Sequence, residues 1–254
     1  MKYFLDIDDL SEKDFFQILN ETANQKKISN PILKNKNIGM IFENYSTRTR
    51  LSFMVAINEM SGNFYDIKFE DLNLQRSESL EDTFKIFSCY LDALVYRTKN
   101  HKNLLLAKEY FGKPVINALS EMAHPCQAIS DIYTMLEVFK DLNNLTVSWF
   151  GDITNVISSL SKCFKFLPNS KINIFTNKLI YNKKNNLLPK FKNVNVFHKI
   201  DERIISSSNC IMTDVYTSMN DKKDISKERS LKKFQINKNL MRLTKKKCIF
   251  MHCL

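Results

Sequence analysis

Short apolar runs alternate with segments of helical periodicity along the whole chain, and this alternation limits the possible folds more than any other feature. The apolar run 38–42 is followed by a helical pattern that begins at Leu51, and the run 93–96 is followed by another from Lys102. Apolar runs this short are typical of strands buried on both faces, as in a parallel sheet covered by helices. The sequence therefore predicts an α/β fold.

The alternation is interrupted once, at the polar turn cluster 141–144, where we predict a domain boundary. A chain of 254 residues is long enough for two domains of ordinary size. We expect domains at 1–140 and 141–254, each a parallel sheet covered by helices. Because ligands of such sheets bind beyond the carboxyl ends of the strands, the active site should lie in the cleft between the domains.

Glycine and cysteine usage narrows the possible functions. The chain has four glycines, and neither G-x-G-x-x-G nor G-x-x-x-x-G-K-[ST] occurs, which excludes nucleotide binding by these loops. Its six cysteines are scattered without a C-x-x-C pair. That arrangement is typical of reduced thiols and implies neither a disulfide framework nor a structural metal.

The net charge of +11 permits a nucleic-acid partner. The lysines are spread over the chain, with one run at 245–247, which is more typical of a solvated surface than of a DNA-binding face. A basic nucleic-acid-binding protein remains the alternative from a different functional class. Three aspartates among the first ten residues argue against a leader peptide, and no apolar run reaches the ~18 residues that span a bilayer. We expect a cytoplasmic protein with no membrane partner.

A cluster of hydroxyl and guanidinium groups falls on the turn between the first predicted strand and its helix. The residues are Ser46, Thr47, Arg48, Thr49 and Arg50. The first N–H groups of a helix lack intrahelical partners and lie at the positive end of its dipole, so a phosphate there accepts several hydrogen bonds. Helix capping by Ser46 or Thr47, beside two solvated arginines, is the alternative. Because capping accounts for one hydroxyl, we predict an anion site.

Two further candidates lie at the ends of predicted strands. Arg97 follows the run 93–96, where the ligand crevice of an α/β sheet is expected, although a surface ion pair would also fit. Pro125 suits the first position of a helix, which would make His124 the N-cap and would put Gln127 on the first turn. Both side chains would then be within reach of one small ligand. We predict that Arg97, His124 and Gln127 are functional.

These residues belong to a set of motifs that occurs in the same order in one protein family. The motifs are F-E-N-Y-S-T-R-T-R at 42–50, E-S-L-E-D-T at 78–83, H-P-C-Q at 124–127, G-D with an Asn at 151–155, D-V-Y-T-S-M at 214–219 and H-C-L at 252–254. Over essentially its whole length the chain resembles the ornithine carbamoyltransferases. The S-T-R-T-R and H-P-x-Q motifs mark carbamoyltransferases generally, whereas S-M and H-C-L favour ornithine over aspartate as the amine.

The resemblance implies that the carbamoyl group of carbamoyl phosphate is transferred to the side-chain amine of ornithine. The products would be citrulline and phosphate, in arginine biosynthesis, and no metal or organic cofactor is implied. The residues implied in phosphate binding are Ser46, Thr47, Arg48 and Thr49. Those implied in holding phosphate and carbamoyl oxygens are Arg97, His124 and Gln127.

Further residues of the carbamoyl phosphate site would be Cys253 and Leu254. The residues implied in binding the amino-acid end of ornithine are Asn155, Asp214, Ser218 and Met219. Cys253 would lie beside the reacting amine without having to act as a covalent nucleophile. The candidate catalytic residues are thus Arg97, His124 and Cys253.

The resemblance also implies a homotrimer with active sites shared between subunits. In three places the chain departs from the family's motifs. The family's Q-L-G segment, which reaches a neighbouring subunit, reads N-L-Q here, so Asn73 offers a shorter amide for that contact. The S-M-G loop ends in Asn220, and the first Asn of G-D-x-N-N is Thr154. Two related interpretations therefore stay open. One is transfer to another amine, such as putrescine or an acetylated ornithine, and the other is a catalytically silent relative.

The last motif ends at Leu254, before the Pro of the family's H-C-L-P. In the family a helix follows, crosses back to the first domain and carries a further Arg toward carbamoyl phosphate. The carboxylate of Leu254 would lie near a dianionic substrate, and like charges ~4 Å apart repel by about 4 kcal/mol at an effective dielectric of 20. We expect either a truncated chain or a natural product with weak activity and poor domain closure.

Overall fold

The protein is described by a computed structural model that covers residues 3–25, 30–76, 78–216 and 224–253. The chain forms two compact units, Met1–Cys126 and Gln127–Leu254. The division falls within the H-P-C-Q motif, in the first turn of the helix that begins at Pro125, and therefore earlier in the chain than residue 140. Among the described residues, no helix combines the length and the apolar character needed to cross a bilayer.

Strands and helices alternate in the first unit, as the sequence predicts. The strands are β1 (Tyr3–Phe4), β2 (Asn37–Phe42), β3 (Asn63–Ile67), β4 (Ala93–Arg97) and β5 (Val115–Leu119). The helices are α1 (Glu12–Gln25), α2 (Arg48–Glu59), α3 (Leu80–Tyr90), α4 (His101–Phe111) and the start of α5 (Pro125–Phe139). The described strands pair in parallel in the order β1-β5-β4-β2-β3.

The second unit repeats the same architecture. Its strands are β6 (Thr146–Phe150), β7 (Lys171–Phe175), β8 (Val194–Phe197), β9 (Cys210–Thr213) and β10 (Ile249–His252). Its further helices are α6 (Asn155–Cys163), α7 (Lys178–Lys184), α8 (Glu202–Ser206), α9 (Ile225–Leu231) and α10 (Lys238–Arg242). The described strands are again parallel, in the order β10-β9-β6-β7-β8. The prediction of two parallel sheets covered by helices is confirmed.

Local signals in the sequence fix where two of the helices begin. Ser11 accepts a hydrogen bond from the N–H of Asp14 at 3.2 Å, and the Asp14 carboxylate accepts the N–H of Ser11 at 3.1 Å. At α3, the hydroxyl of Ser79 accepts the N–H of Asp82 at 3.1 Å. Each contact satisfies a backbone N–H that the helix leaves unpaired, so the predicted capping residues mark both starts.

The central strands carry the buried cores. Leu94 and Tyr96 of β4 are 0% exposed and pack with Phe84 of α3, while in the second unit the rings of Phe150 and Phe175 stack 4.7 Å apart on neighbouring strands. The edge strand β10 is less covered, since its Phe250 is 50% exposed. Burial of the central strands fixes the positions of the residues at their carboxyl ends.

The sequence pattern also predicts a helix at 156–166 and a last strand at 248–251, and several elements differ from the predictions. The pattern does not predict β1, because two residues are too few to show a period, and β1 forms through pairing with Val115 and Ile116. The predicted helix 156–166 ends earlier, at Cys163, and continues as a 3-10 turn, Phe164–Phe166. The last strand is one residue later than predicted. The differences in the helix and in the last strand are at element ends, where local patterns carry the least information.

Candidate functional site

Glu43 connects the turn after β2 to the end of β4. Its Oε2 accepts the N–H of Lys99 at 3.0 Å, and its Oε1 accepts hydrogen bonds from the Tyr96 hydroxyl and, at 3.2 Å, from Nδ2 of Asn103. Burial and the neighbouring Glu43 carboxylate raise the pKa of the Tyr96 hydroxyl, so it remains a donor. This network holds two strand ends together next to the polar turn.

Arg97 is the last residue of β4, and its register with β5 shifts between Tyr96 and Arg97. The extra residue at this shift is Ala118 of β5, because Tyr96 pairs with Asn117 and Arg97 pairs with Leu119. The Arg97 side chain is 7% exposed, and its Nη1 donates to Oγ of Ser46 at 3.1 Å. Burial lowers the pKa of Arg97, although a guanidinium stays charged in proteins. Arg97 is therefore a buried cation at the strand end, and the alternative of a surface ion pair is wrong.

His124 follows a tight loop after β5. The N–H of Ser120 donates to the carbonyl of Ala123 at 2.9 Å, and the N–H of Ala123 donates to Oγ of Ser120 at 3.2 Å. His124 is 8% exposed, and Pro125 begins α5 as predicted. Burial, with a further contribution from the charge of Arg97, lowers the pKa of His124 to about 3. The imidazole is thus neutral near pH 7.

The first turn of α2 is open to a ligand. Thr47 is its N-cap and makes no capping hydrogen bond through its side chain, so the alternative of ordinary capping is wrong for Thr47. Thr47 and Arg48 are exposed, and Ser46 and Thr49 are half-buried. Arg48 is the first residue of α2, so its charge is carried on the helix turn whose N–H groups favour an anion.

Arg50 has a different environment from Arg48. Its Nη1 lies 2.8 Å from Oδ2 and 3.1 Å from Oδ1 of Asp66, and its guanidinium sits 4.9 Å from the centre of the Phe42 ring. Among the described residues, Arg48 has no carboxylate partner. The charge of Arg50 is balanced by Asp66. Of these two arginines, Arg48 is therefore the candidate for binding an anion.

In the second unit, Asp214 directly follows β9 and Cys253 directly follows β10. The Oδ1 of Asp214 accepts the N–H of Val215 at 2.7 Å, and Sγ of Cys253 lies 3.8 Å from the carbonyl oxygen of Thr213. Burial and the Asp214 carboxylate raise the pKa of the Cys253 thiol. A protonated thiol is a poor nucleophile. The raised pKa is consistent with the expectation that Cys253 need not act as a covalent nucleophile.

Asp131 lies near these two residues but was not predicted from the sequence. It is 4% exposed, and its Oδ1 accepts a hydrogen bond from Nε2 of Gln127 at 3.0 Å. Its Oδ2 is buried without a hydrogen-bond partner among the described residues. Burial raises the pKa of Asp131 to about 7, and the nearby Asp214 adds to the rise. The spacing of Asp131 four residues after Gln127 on a helix was the available signal.

The turn after β6 brings further polar groups together. Gly151 has a φ of 130°, a conformation that glycine adopts more readily than other residues. Asn155 is the first residue of α6, and the N-cap Thr154 makes no capping bond through its side chain. The carboxylate of Asp152 lies 2.9 Å from Nζ of Lys184 and 2.7 Å from Nζ of Lys227. These ion pairs were not predicted, because the lysines lie far from Asp152 in sequence.

Of the remaining predicted site residues, the structure describes Asn73 but not those at 217–223 or at the last position. Asn73 is exposed and begins the 3-10 helix Asn73–Arg76. Ser218, Met219, Asn220 and Leu254 lie outside the described residues. Among the parts of the chain that the structure describes, no group of three or more His, Cys, Asp or Glu side chains could hold a metal ion. The structure thus groups Ser46, Arg97 and His124 in the first unit, and Gln127, Asp131, Asp214 and Cys253 in the second.

The fold and these two groups define a two-domain α/β protein with charged and polar ligand-binding groups at the carboxyl ends of parallel strands. Residues 2–137 match the family model described as aspartate/ornithine carbamoyltransferase, carbamoyl-P binding domain. Residues 143–254 match the model described as aspartate/ornithine carbamoyltransferase, Asp/Orn binding domain. The chain belongs to the aspartate/ornithine carbamoyltransferase family.

Individual relatives agree with this membership. The chain is 38% identical to a protein of Methanococcus vannielii named ornithine carbamoyltransferase, over 96% of this chain and 84% of that protein. Its fold matches the structure of ornithine carbamoyltransferase from Pyrococcus furiosus with a TM-score of 0.89 and 29% identity, over 100% of this chain and 84% of that one. The structure of the anabolic enzyme from Campylobacter jejuni matches with a TM-score of 0.86 and 29% identity, over 100% and 86%.

Proposed function

We propose that this protein is an enzyme that transfers the carbamoyl group of carbamoyl phosphate to the side-chain amine of ornithine, forming citrulline and phosphate. The observation that carries the proposal is the bond from the buried Arg97 to Ser46, beside the uncapped first turn of α2. A buried cation and unpaired helix N–H groups together suit a phosphate dianion.

The reaction needs positive groups where negative charge develops. Attack of the neutral amine on the carbonyl carbon forms the C–N bond and places negative charge on the carbonyl oxygen; the C–O bond to phosphate then breaks, and the amine loses a proton. Arg97 would stabilise charge on the phosphate and the carbonyl oxygen. Since the pKa of His124 is about 3, it would act as a neutral hydrogen-bond donor and not as a general acid.

In this proposal the residues of the second unit select and hold the amine. Asp214 would bind the α-ammonium group of ornithine, together with Ser218, and Met219 and Asn155 would contact the amino-acid end. Cys253 would contact the reacting amine as a thiol, because its pKa is raised. Carbamoyl phosphate would bind to Ser46, Thr47, Arg48, Thr49, Arg97, His124 and Gln127, with Cys253 and Leu254 beside it.

The proposal extends to assembly and location. We infer a homotrimer in which Asn73 contacts a neighbouring subunit's site, and a cytoplasmic role in arginine biosynthesis. The exposure of Asn73 makes it accessible to a neighbouring subunit, and the similarity to the anabolic Campylobacter jejuni enzyme supports the biosynthetic role. Sedimentation checks the assembly, since a fully active monomer would contradict it.

The direct test is to incubate the protein with carbamoyl phosphate and a panel of amines that contains ornithine, putrescine, aspartate and acetylated ornithine. Citrulline should form with ornithine. A product with another amine alone would identify a different carbamoyltransferase, and binding of carbamoyl phosphate without any product would indicate a silent relative.

A further inference from the structure

The buried carboxyl group of Asp131 has no evident structural purpose. It lies in the middle of α5, away from the helix ends where an aspartate would cap or complement the dipole. Among the described residues it forms no ion pair, and its one hydrogen bond comes from the neutral Gln127 amide. Burying a carboxyl group without a cation is costly, and an apolar side chain at this position would avoid the cost.

The hydrogen bond between these residues fixes one property of Gln127. A carboxamide has a donating nitrogen and an accepting oxygen at opposite ends, and rotation by 180° exchanges them. Above its pKa of about 7 the Asp131 carboxylate accepts but does not donate, so the 3.0 Å contact from Nε2 to Oδ1 of Asp131 then favours one of the two orientations. Oε1 of the half-buried Gln127 is then the end available to a ligand.

The available Oε1 of Gln127 is an acceptor that suits the NH₂ group of carbamoyl phosphate, the proposed substrate. The carbamoyl group carries an NH₂ group, which has two donors and needs acceptors. Arg97 supplies donors, which suit the phosphate and the carbonyl oxygen but not this nitrogen. An amide oxygen held toward the ligand would provide the missing acceptor.

We propose that Asp131 is a positioning residue that orients the Gln127 carboxamide so that its Oε1 accepts a hydrogen bond from the carbamoyl NH₂ group. The inference rests on the proposed function, in which Gln127 contacts the carbamoyl group. Asp131 would thereby help the enzyme select carbamoyl phosphate over acyl phosphates that lack the NH₂ group.

The test compares two stable analogues that differ in this group. Phosphonoacetamide carries the NH₂ group, and 2-oxopropylphosphonate has a methyl group in its place. Calorimetry with the full chain should show about tenfold tighter binding of the amide, as expected for one hydrogen bond in a site closed to water. In Asp131→Asn the new amide can either accept from Nε2 or donate to Oε1 of Gln127, so the orientation is no longer fixed and the preference should fall.

Inorganic phosphate separates this inference from the proposed function. Asp131→Asn should bind phosphate and 2-oxopropylphosphonate as the unaltered protein does, since neither ligand uses the NH₂ contact. If Asp131→Asn lost the same affinity for all three ligands, Asp131 would have only a general structural role. If it kept the preference for phosphonoacetamide over 2-oxopropylphosphonate, the inference would be overturned. Failure of the unaltered protein to bind any of the three would instead reject the proposed function.

Gln127→Ala provides a second route that does not depend on the folding of Asp131→Asn. Gln127→Ala should lose the preference for phosphonoacetamide over 2-oxopropylphosphonate to the same extent. Adding Asp131→Asn to this variant should not change the ratio of the two affinities further. Retention of the preference in Gln127→Ala would overturn the inference. A further change in the double variant would also overturn it, because Asp131 would then act without Gln127.

Discussion

Nη1 of Arg97 donates a 3.1 Å hydrogen bond to Oγ of Ser46, which connects the last residue of β4 to the turn before α2. The two residues are far apart in sequence, and neither position alone would define a site. Because Arg97 is 7% exposed, its charge acts in a region with little water to screen it. The bond therefore holds a strong cation next to the open helix N-terminus.

Ser46→Ala should weaken carbamoyl phosphate binding about tenfold to a hundredfold, since it removes a hydroxyl from the proposed site and a partner from Arg97. KM and the affinity for inorganic phosphate measure the effect. Ser52→Ala is the matched control, because the Ser52 hydroxyl is exposed and donates to the carbonyl of Thr49 on the same helix. Equal kinetics for both variants would contradict the role of Ser46.

Arg48→Ala should lower kcat/KM by about a hundredfold or more with little change in Tm, because an exposed side chain contributes little to stability but would face the phosphate. Arg50→Ala is the comparison. It should mainly lower Tm, since it leaves the Asp66 carboxylate unpaired and removes the contact with the Phe42 ring. Near-normal kcat/KM in a folded Arg48→Ala protein would reject the proposed phosphate site.

The imidazole of His124 should remain neutral down to about pH 4, because its pKa is about 3. The unfolded chain has an ordinary histidine pKa near 6.5, so the contribution of neutral His124 to stability is present above about pH 6.5 and is lost as the pH falls toward 3. Proton NMR can follow the ring, with His124→Gln used to assign its signal. A titration midpoint near 6.5 would contradict the burial of this residue.

Cysteine alkylation should follow exposure and acidity. The thiol of Cys89 is exposed, whereas burial raises the pKa of Cys126, Cys210 and Cys253. Iodoacetamide near pH 7.5 should therefore modify Cys89 first, as mass spectrometry can show. Faster modification of Cys253 than of Cys89 would show that its thiol is more acidic than the structure indicates.

The Glu43 network should support both folding and the site. Glu43→Gln should lower the free energy of unfolding by about 1–3 kcal/mol, because an amide cannot accept the bonds of Tyr96, Asn103 and Lys99 as the carboxylate does. Tyr96→Phe should cost less, since it removes one donor and leaves the other two. Urea unfolding measures both. Equal stability of Glu43→Gln and the unaltered protein would show that the network contributes nothing.

Much of the fold and part of the site could be predicted from the sequence. The sequence predicts strands at 194–197 and 210–213, and the structure has strands with these bounds, Val194–Phe197 half-buried at the sheet edge and Cys210–Thr213 largely buried. Ser11 and Ser79 mark helix starts, because capping depends on residues three positions apart. The motifs at 46–50 and 124–127 were recognisable because their polar residues are adjacent in the chain.

Contacts between distant parts of the chain needed the tertiary structure. Arg48 and Arg50 lie in the same short motif, and the sequence does not distinguish them. In the structure, Asp66 of β3 pairs with Arg50, whereas Arg48 is exposed. Charge balance of this kind depends on which strands are neighbours in the sheet.

The order of most strands and helices and the chemical types of the site residues can be read from the sequence, because periodicity, capping and motifs are local properties of the chain. The tertiary structure alone decided which of these groups are buried, paired or open to a ligand. The low pKa of His124 and the raised pKa of Asp131 arise from desolvation and from charges brought close by folding. Such effects depend on distances in space, which the order of residues does not specify.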